Sequence, residues 1–193
     1  MTIRHLAAAL MGALAICGQT SAAIFDGATG AAVTDYSEGS ALSFDIDFST
    51  LSVATLRFTL DAADLAAGQL SFNSLVRNLT GLGIERVTVS LDGLAFGSAG
   101  SLTTDGFSSI VSSGSDAQTA WASFSPALGS EFYIGNPLAV PGAADWMLSL
   151  AGHQVGDSFS VTVAVPEPQA WSLAALGLFM TAVMARRRRP QQS

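Results

Sequence analysis

Two aspartates and one histidine are the side chains of this chain best placed to do chemistry. Asp45 and Asp47 stand two residues apart in Leu42-Ser43-Phe44-Asp45-Ile46-Asp47-Phe48. On a strand that spacing puts both carboxylates on one face, the arrangement an acid/base pair for glycoside hydrolysis would use. The same spacing on a half-buried strand also makes an ordinary solvated face, and that is the expected role here. His153 sits in Ala151-Gly152-His153-Gln154, a turn sequence, and the only other histidine is His5. Nucleophilic catalysis would need a serine activated beside His153, and no Gly-x-Ser-x-Gly accompanies it.

Metal and phosphate chemistry find less. A zinc site needs several His or Cys ligands at set spacing, and the chain has one cysteine, Cys17,. Asp45-Ile46-Asp47-Phe48-Ser49 begins like a calcium loop, but Thr50 stands where glycine is required and Leu56 where a bidentate glutamate belongs,. A looser calcium site would have to draw on Asp26, Asp35, Glu38, Asp61 or Asp64. Gly81-Leu82-Gly83 lacks the third glycine of a dinucleotide loop, and without lysine there is no phosphate-binding Walker loop,. Trp121 and Tyr133 could stack on sugars if exposed; core packing is the expectation for both. No catalytic residue, metal ligand or cofactor is assigned.

The elements that would position these residues show alternation with period two. Leu42, Phe44, Ile46 and Phe48 alternate with Ser43, Asp45 and Asp47. Similar stretches run through Leu56–Leu60, Val87–Leu91, Trp146–Leu150 and Phe159–Val165, each a strand with one buried face. Leu70, Phe72 and Leu75 suggest a less regular strand. Asp92-Gly93 signals a two-residue hairpin continuing through Phe96, and Gly152 to Gly156 a longer hairpin. Asp61 to Gly68 is the one stretch suited to a short helix. Gly97 to Ser130, rich in Ser, Gly and Thr, suggests long loops around one or two weak strands. The expected fold is all-β, an antiparallel β-sandwich of about seven or more strands, with a small barrel as the alternative.

This β-rich part is bracketed by two apolar segments. Residues 1–23 form a secretory signal peptide: Arg4 and His5, an apolar run from Leu6 to Ile16, then Thr20-Ser21-Ala22-Ala23, with cleavage after Ala22 or Ala23,. Residues 24–164 form one extracellular domain of about 140 residues, enough for a sizeable core. It contains no cysteine, so no disulfide. At the other end Val165-Pro166-Glu167-Pro168 precedes an uncharged run, Ala170–Ala185, and then Arg186-Arg187-Arg188-Arg189. As a helix that run is about 24 Å long, close to the ~30 Å hydrocarbon core. Trp171 falls at the interface, and the arginines would stay on the cytoplasmic side.

These three parts in this order resemble a PEP-CTERM sorting signal over residues 165–190. The resemblance implies recognition by an exosortase, a membrane cysteine transpeptidase that supplies its own nucleophile, with cleavage near Pro166-Glu167-Pro168. It implies a Gram-negative bacterium that makes exopolysaccharide, Sec export, a membrane-anchored intermediate and a final place at the cell surface or outside the cell. The function expected is a structural or adhesive surface or matrix protein, not an enzyme, associated with exopolysaccharide or biofilm. The alternative is a carbohydrate-binding or glycoside-hydrolysing domain on the same tail. In a bacterial protein, Asn78-Leu79-Thr80 is a chance match to the glycosylation pattern.

Charge narrows the partners further. Without Arg4 and Arg186–Arg189, three arginines (Arg57, Arg77, Arg86) face fifteen carboxylates, a net charge of −12. Nucleic acid is excluded as a partner, because phosphate neutralisation needs clustered cations.

Overall fold

The structure is a computed structural model and describes residues 23–165. It is all-β, with two sheets packed face to face and one short helix. The expected signal peptide, apart from Ala23, and the expected membrane helix lie outside the described residues. No helix among the described residues is long and apolar enough to cross a membrane.

The first sheet holds β1 (Ile24–Thr29), β4 (Val53–Thr59), β6 (Ile84–Asp92), β9 (Ser109–Ser115), β10 (Thr119–Leu128) and β13 (Ser158–Ala164), in the order β1-β4-β13-β6-β10-β9. The second runs β2 (Ala32–Asp35), β3 (Ala41–Phe48), β5 (Gln69–Asn78), β11 (Glu131–Ile134), β8 (Leu102–Thr104). On the same edge of β5 as β11, β12 (Trp146–Ser149) pairs with Gln69–Phe72 and carries β7 (Ala95–Ser98) outside it. The alternation seen in the sequence is the alternation of burial: in β3, Leu42, Phe44, Ile46 and Phe48 are buried and the residues between them are half-exposed.

The core is where the inner faces meet. Phe25 (β1) and Phe58 (β4) of the first sheet meet Phe44 (β3) of the second, and Phe159 (β13) stacks on Phe58, with ring centroids 4.8 to 5.6 Å apart. Each such pair adds about 0.5–1.5 kcal/mol beyond the area it buries.

The helix α1 (Ala62–Ala67) lies where the composition suggests. Asp61 caps it, its Oδ1 accepting from the N–H groups of Ala63 and Asp64, and Asp64 Oδ2 accepts from the Asp61 N–H in return,. Gly68, at φ 75°, ends it,.

Four expectations are corrected. The strands are not all antiparallel: β3 and β5 pair in parallel from Ala41↔Ser71 to Phe48↔Asn78. Asp92-Gly93 is not a hairpin. A type I′ turn needs positive φ at both central residues, and only Gly93 has it. The step instead carries the chain from β6 in one sheet to β7 in the other. Gly93 is needed there, because a Cβ would lie 2.8 Å from the Ser158 carbonyl oxygen. Gly152–Gly156 likewise joins the two sheets, with Gly156 N–H donating to the Leu60 carbonyl. Finally, the Ser/Gly-rich stretch holds a hairpin, β9–β10, bulged between Ser112 and Ile110 and closed by Asp116 Oδ1 accepting from the N–H groups of Gln118 and Thr119.

Phe58, fully buried at the centre of the phenylalanine cluster, offers the direct test of this core. Phe58→Ala is expected to cost about 3–5 kcal/mol in urea unfolding followed by tryptophan fluorescence. A loss under about 1 kcal/mol would contradict the packing described.

Candidate functional site

The outer face of the second sheet carries a charged cluster. It arises because β3, β5 and β11 lie side by side: Asp47 is opposite Arg77, which is opposite Glu131, and Asp45 is opposite Leu75, which is opposite Tyr133. Arg77 spans the two aspartates, donating from Nη2 to Asp45 Oδ2 at 2.6 Å and from Nε to Asp47 Oδ1 at 2.8 Å. Tyr133 Oη donates to Glu131 Oε1. That hydrogen bond, with burial adding to it, pushes the phenol up to about 12.

Asp45 and Asp47 therefore share a face, as their spacing implies, but they are not a simply solvated face. Each is held by the same guanidinium, with side chains 21% and 30% exposed. An acid/base pair needs one carboxyl free to carry a proton; here a permanent cation binds both.

The expectation of core packing for Trp121 and Tyr133 is also corrected. Their neighbours Ala120, Ala122, Phe132 and Ile134 point inward and are buried, so strict alternation turns Trp121 and Tyr133 outward. The Arg86 guanidinium lies 4.2 Å from the centroid of Trp121. On the neighbouring strand, Gly114 leaves room for the indole, where a Cβ would lie 3.1 Å from it.

The remaining sequence candidates are scattered. His153 Nδ1 is 3.3 Å from Asp157 Oδ2 in the turn before β13. Asp26 Oδ2 accepts from Thr59 Oγ1, and Asp35 Oδ1 from the Ser37 N–H. Among the described residues no three His, Cys, Asp or Glu side chains are grouped to hold a metal ion. Asn78 is buried, its Nδ2 donating to the carbonyls of Leu82 and Leu128. Of the sorting residues, Val165 is fully buried and its N–H donates to the Ser52 carbonyl at 3.0 Å. Pro166, Glu167, Pro168 and Arg186, Arg187, Arg188 and Arg189 lie outside the described residues.

Two features escaped sequence reasoning. A cleft of about 260 Å³ opens between the sheets beside β9, lined by Val87, Val89, Ala122, Leu102, Ile110 and Trp146. It exists because β11–β8 and β12–β7 continue the second sheet as separate flaps from β5, a split no local pattern announces. The other is the burial of Asp64, which the sequence offers only as a ligand of a loose calcium site: it is 1% exposed, and its Oδ1 lacks a hydrogen-bond partner among the described residues. Burial pushes its carboxyl above the ordinary value.

No family model, curated protein or solved structure matches this chain.

Two measurements test the charged face. Arg77→Gln should cost about 1 kcal/mol or less, because the pairs are partly exposed, and the cost should shrink in concentrated salt. A cost that salt leaves unchanged would contradict this. The Tyr133 phenol titrates higher in the folded chain than in the unfolded one. Its hydrogen bond therefore contributes fully below about pH 10 and is lost as pH rises through about 12,. In a Tyr36→Phe background, phenolate absorbance should emerge near that upper value. Glu131→Gln should bring it down towards about 10; an unmoved titration would break the assignment.

Proposed function

We propose that this chain is an exported, non-enzymatic protein of the cell surface or extracellular matrix, anchored for a time by its tail and processed by an exosortase. It would act through its β-domain as a structural or adhesive element near exopolysaccharide. The observation that carries the reading is the order of Pro166-Glu167-Pro168, apolar run and Arg186–Arg189 directly behind a buried strand end. Prolines flanking Glu167 would resist continued strand pairing and so favour an extended motif for a membrane enzyme.

The geometry of the ends supports this use. Ile24 pairs with Thr59, which pairs with Ser158, whereas Ala164 pairs with Val53. The amino-terminal and carboxy-terminal residues of the domain are thus at opposite ends of β13, roughly 20 Å apart at the usual rise per residue. An anchored domain would hold the Ser49–Ser52 loop towards the membrane and Ala23 away from it.

The sugar-binding or sugar-cleaving alternative has less behind it. Trp121 already carries Arg86 on its ring, Tyr133 is bonded to Glu131, and Asp45 and Asp47 are both spent on Arg77.

In a host with an exosortase, intact-mass analysis should find the apolar run and arginines removed from the exported protein. In a host without one, they should remain and hold the protein in the membrane. Full retention of Leu173–Arg186 peptides on the domain in the first host would refute processing.

A further inference from the structure

Asp64 is a buried carboxylate with half of its bonding capacity unused. Oδ2 accepts from the Asp61 N–H at 2.7 Å, and Oδ1 has no partner. Such an orphaned acceptor costs about 1–3 kcal/mol, more when charged. Its near neighbours offer no compensation. Asp61 is itself an acid, its Oδ1 taken by two backbone N–H groups. In the turn that bonds to Leu60, His153 and Asp157 face each other. On β5, the strand packed on α1, Arg77 is engaged with Asp45 and Asp47. Arg86 lies over Trp121, and Arg57 is in a shallow hollow with Asp26 and Asp92.

One further group lies at this end of the helix. Ile24 pairs with Thr59, which sets Ala23 beside Leu60 and the Asp61 cap that is bonded to Asp64, and the Ala23 backbone N–H is among the groups that favour the ionised carboxyl. Ala23 is 2% exposed and packed in the core, whereas Ile24, the next residue, is 53% exposed. Thr20-Ser21-Ala22 in front of it supplies small residues at the positions a signal peptidase reads,.

We propose that signal peptidase cleaves between Ala22 and Ala23, and that Asp64 holds the α-ammonium so created in a buried ion pair. Water hydrolyses the Ala22–Ala23 peptide bond; Ala22 leaves as a carboxylate, and the freed amine of Ala23 takes a proton. An amide N–H becomes an ammonium with three donors and a positive charge, which Oδ1 and the buried charge both lack at present. The sequence permits cleavage after Ala22 or after Ala23, and the fold selects the first. Such a pair requires the exported reading above, since only a cleaved leader exposes the amine. Above the pH at which Asp64 ionises and below the amine's unfolded pKa of about 8 the pair is complete, and it is lost as pH rises through the higher folded value.

The chain contains no lysine, so the α-amine of the exported protein is its one primary amine. The full chain should be expressed with its own leader and the exported form recovered. N-terminal sequencing should begin at Ala23. Reductive methylation with ¹³C-formaldehyde should then label one site, whose NMR titration should lie about one pH unit or more above that of the Asp64→Asn protein. If Asp64→Asn does not accumulate, the wild-type titration decides alone, against the ordinary value of about 8. A start at Ile24, or an amine that titrates ordinarily in the wild type, overturns the ion pair and leaves the exported reading standing. A chain that retains Met1 overturns both.

Discussion

Everything in this domain depends on two sheets excluding water from between them. Phe25 and Phe58 of one sheet close on Phe44 of the other, and the described residues contain no cysteine that could staple the sheets covalently. Phe58 and Phe159 stack at 4.8 Å on adjacent strands, so the same rings set register within the first sheet and contact across to the second. A slip of one residue in β4 would turn Leu56 and Phe58 to solvent together. The polar outer faces follow from this, because once the apolar face is committed inward, Asp45, Asp47 and Arg77 have nowhere else to point.

That commitment explains what could be read from the sequence. Strands with clean alternation, such as β3 and β13, were legible, and so was α1, because a capping aspartate and a terminal glycine are local signals. β5 was only half legible. Its inward positions are Leu70, Phe72, Ser74, Val76 and Asn78, and two of the five are polar. Ser74 is tolerated inside because its hydroxyl donates to the Phe44 carbonyl at 2.8 Å, a partner thirty residues away. Leu75, apolar but outward, then made the pattern look broken. The turns misled for a different reason: Asp92-Gly93 states that the chain bends, but which sheet it bends into is decided by Ser158 and β12.

The charged face divides in the same way. That Asp45 and Asp47 share a side follows from their spacing. That Arg77 lies between them follows only from the parallel register of β3 and β5, and parallel neighbours leave no hairpin signal. Asp64 was hidden by its ordinariness. An aspartate in the first turn of a helix is expected as a cap, and it does serve as one; its burial goes with the packing of α1 on β5, which no helix-start pattern encodes.

The two ends of the domain bear the consequence. Ala23 and Val165 are both buried, so neither end frays into the segments beyond it as a loose tail of a domain commonly does. β13, which leads to Val165, is an interior strand with β4 on one side and β6 on the other. β1, which follows Ala23, is an edge strand on β4. A force along the tail would therefore have to break two ladders of hydrogen bonds along β13, whereas the amino-terminal end is held by one ladder and by whatever fixes Ala23. For a domain tethered through its carboxy-terminal end, the stronger attachment is on the loaded side. The weaker end is also the one at which we propose that Asp64 pairs with the α-ammonium of a cleaved chain.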